Sequence, residues 1–161
     1  MNELSKLLTV EVLPLDIPDT SLVQYFTDIR VLNVSLGMNH ATRHSLTISD
    51  VTLDISADRH LHNIEVLWPK ESWKEQNHPS IPSRPESARV SFMNVEGHLV
   101  EDHDLELLTS PLRDALLIKF LPEEPRKYIC VASKVVLGVT TLNVLTSIWI
   151  EGIKEAQSKD A

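Results

Sequence analysis

Two histidines separated by one residue, His60 and His62, are the most suggestive spacing in the chain. Side chains alternate along a strand, so both imidazoles would face one side and could serve a metal ion. His40 and His44 stand four apart, but they fall in a stretch that reads as loop, and the single Cys130 is remote from them in sequence. A closed zinc site needs third and fourth ligands, which the sequence does not mark. Solvent-facing histidines beside a turn are the plainer reading of His60 and His62.

A second group is acidic: Glu96, Glu101, Asp102, Asp104 and Glu106, with His98 and His103 among them. As a functional feature this is an anionic patch for a basic partner, such as a nuclease toxin whose active site normally holds phosphate. Charge complementarity would speed association more than it tightens it. As a structural feature it is a charged sheet edge, which discourages pairing with other chains. A carboxylate beside an imidazole (Asp102 or Asp104 with His103) could move a proton, but no nucleophile accompanies it. Trp149 lies between Ile148 and Ile150 and so points away from their side of a strand. It and Trp73 are each a candidate interface anchor or a side chain covered by neighbouring segments. Cys130 falls opposite Leu46 in the alignment described below and reads as a small core residue.

The rest of the sequence narrows the chemistry. No G-x-S-x-G, P-loop, H-E-x-x-H or C-x-x-C motif occurs, and four glycines in 161 residues leave little for a phosphate-cradling loop. No catalytic residue is nominated and no cofactor is implied. Fifteen Lys and Arg against 23 Asp and Glu give a net charge of -8, which disfavours nucleic acid as a partner. A hydrophobic share of 42% and a charged share of 24% belong to a folded domain. One cysteine excludes an internal disulfide. The first residues, MNELSKLLTVEVLP, carry Glu3 and no long apolar run, so no secretory signal is expected. Tyr128 to Ile150 is apolar enough to invite a membrane assignment, but Lys134, Asn143 and its β-branched alternation read as two strands and a turn. The expected location is the cytoplasm, without a membrane.

The elements that would position these residues recur at a fixed spacing. Ser49-Asp50-Val51-Thr52-Leu53-Asp54-Ile55 matches Ser133-Lys134-Val135-Val136-Leu137-Gly138-Val139, a shift of 84 (133 minus 49). Without a gap, Leu32 then meets Leu116, Val34 meets Ile118, Leu61 meets Leu145, Ile64 meets Ile148 and Val66 meets Ile150. Each copy reads as four strands: Val31 to Leu36, Ser45 to Ile48, Val51 to Ile55 and Leu61 to Leu67, and again Ala115 to Leu121, Tyr128 to Ala132, Val135 to Val139 and Leu145 to Ile150. Asp58 suits a hairpin turn. Four short strands cannot bury both faces alone, so the copies are expected to share a core. Val90 to Val95 with His98 to Glu101 reads as a further hairpin, with Leu8 to Leu13 as the first half's counterpart.

These residues resemble the YuzE-like family, a small bacterial domain of unknown function. Its pattern runs D-A-L-Y-I, a loop, a strand ending in a D-rich turn, and a closing L-V-G-I-E-I. The second copy has Asp114-Ala115-Leu116-Leu117-Ile118, then Val135-Val136-Leu137, Leu145 and Ile148-Trp149-Ile150. The first has Asp54-Ile55, Asp58, Leu61 and Ile64-Glu65-Val66, while its opening, Arg30-Val31-Leu32-Asn33-Val34, lacks the Asp and Ala. The family glycine is Asn63 in one copy and Ser147 in the other, and the family Glu is kept as Glu65 but replaced by Trp149. The resemblance implies a diverged tandem version, and members beside small toxin genes look like antitoxins.

The expected fold is mainly β: two repeated antiparallel meanders on a shared core, with a short helix after each. The first repeat with an N-terminal strand takes residues 1–68. A short helix (Pro69 to Gln76) and a Pro-rich linker take 69–88. The second repeat, with a terminal helix at Glu151 to Lys159, takes 89–161. The expected function is a non-enzymatic protein-binding module of antitoxin or immunity type, binding a basic toxin through Glu101, Asp102, Asp104, Trp73 and Trp149. The alternative is a small-molecule or metal-binding domain using His60 and His62 in the concavity between repeats. A homodimer is a further assembly compatible with the sequence.

Overall fold

Valine, leucine and isoleucine at every second position give strands one apolar face each, and burial of that face organises the molecule. The computed structural model describes residues 2–37, 41–76 and 85–158. One short helix, α1 (Glu3–Leu7), precedes β1 (Val10–Pro14), β2 (Ser21–Phe26), β3 (Val31–Leu36), β4 (His44–Ile48), β5 (Val51–Ile55) and β6 (Leu61–Val66). A 3-10 turn at Lys70–Ser72 leads to β7 (Lys74–Glu75), then β8 (Glu86–Phe92), β9 (His98–Glu101), β10 (Glu106–Thr109) and β11 (Leu116–Lys119). The chain finishes with β12 (Lys127–Ala132), β13 (Val135–Val139), β14 (Leu145–Ile150) and β15 (Lys154–Ala156).

Two mixed sheets result. One has eight strands in the order β1-β8-β12-β13-β14-β11-β10-β7, and the other has seven in the order β15-β2-β3-β6-β5-β4-β9. Their inward side chains form one buried cluster, including Leu32, Leu53 and Ile64 from one sheet and Leu116, Leu137 and Ile148 from the other. The outermost strands of each sheet come from the opposite half of the chain. β1 and β7 flank the sheet built from later strands, while β9 and β15 flank the sheet built from earlier ones.

The pairing registers share a spacing. Val51 faces Val66 and Leu53 faces Ile64 in β5–β6, with a bulge between Asp54 and Ile55. In β13–β14 the corresponding pairs are Val135 with Ile150 and Leu137 with Ile148, and the bulge lies between Gly138 and Val139. Leu32 opposite Val66 is likewise matched by Leu116 opposite Ile150.

Several expectations are corrected. The sets are not simple meanders: β3 lies beside β6 and β11 beside β14. β3 and β4, consecutive in the chain, therefore lie three strand spacings apart, about 14 Å. The sheets are also mixed, because β7, β8, β9 and β15 join parallel neighbours. No helix follows either set among the described residues. Residues 69–76 make only the 3-10 turn and β7, since Trp73 is drawn into the core in extended conformation (φ -70°, ψ 135°). The stretch after Glu151 becomes β15, paired with β2. It enters through Gly152 at φ +66°, a left-handed conformation that glycine adopts without a Cβ penalty. Val90 to Val95 and His98 to Glu101 do not form a hairpin, because β8 pairs with β1 and β12 while β9 pairs with β4. Residues 77–84 of the linker lie outside the described residues, as does His40, and Glu86 to Ala88, expected as linker, open β8.

Candidate functional site

β9 is the edge that carries the acidic group. Ser45 N–H donates to Gly97 O (2.9 Å) and Ser49 N–H to Glu101 O (3.1 Å). In a parallel pair, alternate residues bond to the neighbour, so the N–H and C=O of His98 and Val100 point outward, away from β4. The Val100 side chain is 76% exposed. Two histidines anchor this edge. His98 Nδ1 bonds to Ser45 Oγ (2.8 Å), and Gly97 N–H donates to His44 Nδ1 (2.9 Å). Ser49 Oγ–H donates to His103 O (2.7 Å). The approach to β9 is held by Arg59, whose Nη1 donates to Val95 O (2.9 Å) and whose Nη2 pairs with Glu96. That hydrogen bond, reinforced by the guanidinium charge, holds the Glu96 carboxyl below its usual range.

Glu101 is half-buried at the end of the strand, and Asp102, Asp104 and Glu106 are exposed. None of these four carboxylates has an ion-pair partner among the described residues. Glu101 ends β9, whose outer backbone is open, and Asp102 and Asp104 follow it directly, whereas Glu106 opens β10 in the other sheet.

The two tryptophans are placed differently. Trp73 is 2% exposed and packs edge-on against Tyr25, with ring centroids 5.9 Å apart at 78°. Its Nε1–H donates to Trp68 O (3.2 Å), and Arg113 Nη1 donates to its carbonyl (2.8 Å). Trp149 is 9% exposed, flanked by Leu117 and Val136 on neighbouring strands. Both indoles are therefore covered, and neither lies on the β9 edge. Trp149 lines a small cavity of about 180 Å³ with Pro125, Tyr128 and Gly138. A Cβ on Gly138 would come within 2.6 Å of the Pro125 ring and 2.5 Å of Ser147 Oγ, so this position is closed to other residues unless its neighbours move.

The corresponding outer face of the seven-stranded sheet is polar. Asn63 Nδ2 donates to Asp54 Oδ2 (3.0 Å) and Asn33 Oδ1 (3.1 Å). Burial, then the Asp54 charge, raises the Glu65 pKa. Cys130 is not in the core: the bulge between Cys130 and Ala132 leaves it half-buried, with its thiol pushed up chiefly by burial.

His60 and His62 do line one cleft, of about 560 Å³, where residues of both sheets meet. His62 Nε2 bonds to Thr42 Oγ1 (3.0 Å). Among the described residues no group of three or more His, Cys, Asp or Glu is placed to hold a metal ion. Sequence spacing missed the Arg89–Asp19 ion pair in this cleft (Nε to Oδ2, 3.1 Å), whose partners are 70 positions apart. No helix among the described residues is long and apolar enough to cross a membrane. Compared with known proteins, the chain matches no family model, and no curated protein matches it in sequence.

Proposed function

We propose that the chain is a doubled β module that works by binding a protein, as antitoxins and immunity proteins do, in the cytoplasm and without catalysis. The observation that carries this reading is the β9 edge: outward backbone groups at His98 and Val100, followed by Glu101, Asp102 and Asp104. An extended segment of a basic partner can add there as a further strand, its backbone supplying affinity and its cations meeting the carboxylates. The other edges offer less. β1 ends in Pro14, β7 has two residues and β15 has three. The doubling is supported by the common 84-residue spacing of pairing registers and bulges between β5–β6 and β13–β14.

Two variants test the reading in pull-downs from the native host. Val100→Pro removes an outward N–H without touching a bond to β4, a position where a strand tolerates proline. The second variant reverses the charges: Glu101→Lys, Asp102→Lys and Asp104→Lys. The wild-type chain is expected to retain a basic protein that salt releases. Val100→Pro should weaken retention, and the charge reversal should abolish it while both variants unfold at the wild-type urea concentration. Equal retention by the variants, or no basic partner on the wild-type chain, overturns the reading.

A further inference from the structure

We propose that the His60–His62 cleft binds a small organic cation with an apolar body, at a site separate from the β9 edge. Its volume of about 560 Å³ suits a small molecule. The floor is apolar: Leu36, Leu61, Val90 and Val131 line it and are all buried. Among the described residues, the charges at its rim do not balance. Arg89 reaches Asp19 through Nε (3.1 Å) and Nη2 (3.4 Å), so these two neutralise each other. Asp58 is exposed and has no partner among the described residues. The His60 ring likewise has no partner among them, and an imidazole nitrogen can accept an N–H. A cation placed on the floor would meet one uncompensated carboxylate and an available acceptor. An anion would face Asp58 and find two nitrogens of Arg89 already engaged.

The turn itself does not require these groups. Ser56 N–H donates to His60 O (3.0 Å) and Arg59 N–H to Ser56 O (2.9 Å). The turn 84 positions on repeats both bonds: Thr140 N–H to Val144 O (3.0 Å) and Asn143 N–H to Thr140 O (3.0 Å). There Leu142, Val144 and Thr146 stand where Asp58, His60 and His62 stand here. His60 bridges Ser91, preceded by Arg89 and Val90, whereas Val144 bridges Thr9, preceded by the buried Leu7 and Leu8. The same backbone hydrogen bonds therefore form with residues that carry no ionisable group, and the ionisable set is surplus to folding.

Three probes of one shape but different charge test this: phenethylamine (cation), 2-phenylethanol (neutral) and phenylacetate (anion). Followed by amide NMR, phenethylamine should shift residues 56–62 and 89–91 saturably. It should bind more than about tenfold tighter than phenylacetate. Asp58→Asn, a change in an exposed turn, should erase the preference for the amine over the alcohol while leaving alcohol binding intact. Phenylacetate binding as tightly as the amine, a preference that survives Asp58→Asn, or no saturable shift at these residues overturns the proposal.

Discussion

Severed so that residues 1–76 and 85–161 are separate molecules, the protein is expected to lose its fold in both pieces and regain it only on mixing. Each sheet takes both of its outermost strands from the other half, and the two sheets bury one shared cluster. Alone, the first piece would expose the inward faces of β3, β5 and β6, and the second those of β11, β13 and β14. Neither exposed face is compatible with a stable two-layer domain. Circular dichroism should show no cooperative urea transition for either piece. An equimolar mixture should recover the strand signal, with a midpoint that rises with concentration, as for any obligate pair. A cooperative transition in one isolated piece would contradict the interlocked architecture.

The second large effect is expected at Trp73. Its indole is almost fully buried, lies edge-on to Tyr25 and donates to the Trp68 carbonyl. Trp73→Ala leaves a large cavity, removes the aromatic pair and leaves that carbonyl without its donor. Substitutions of this kind cost about 3–5 kcal/mol, a large part of the roughly 5–15 kcal/mol that stabilises a domain. The urea midpoint should fall accordingly with little change in slope. Trp73→Phe keeps a ring against Tyr25 and should recover part of the loss. A midpoint unchanged in Trp73→Ala would mean that the indole does not seal the core.

The strands most visible in the sequence were those with unbroken apolar alternation. Val51–Ile55 and Val135–Val139 have the bounds that alternation marks, and Leu145–Ile150 has the bounds that its run of strand-forming residues marks. Strand order was not visible, because period-two patterning says which face is buried and nothing about which neighbour pairs. β3 therefore lies beside β6 where a meander would place β4. The exchanged edges were hidden for a related reason. β7 and β15 have two and three residues, too few to show a period, and although His98–Glu101 reads as a strand with the bounds of β9, its partner β4 lies far away in sequence. Lys154–Ala156 resembles a helix by composition, yet the chain gains more by bonding to the open side of β2. Around the candidate sites, the acidic run and the His60–His62 spacing were legible. The Arg89–Asp19 pair was not, since only the fold brings it together.

Amide hydrogen exchange on the protein bound to its host partner tests the central claim most directly, because it reads the open edge atom by atom. His98, Val100 and Asp102 carry the outward N–H groups of β9 and its extension, and they should exchange quickly in the free protein. Addition of a partner strand would bond them, so their exchange should slow more than tenfold in the complex. Unchanged exchange at these three amides, with protection arising on another surface, would contradict the claim that β9 is the docking edge.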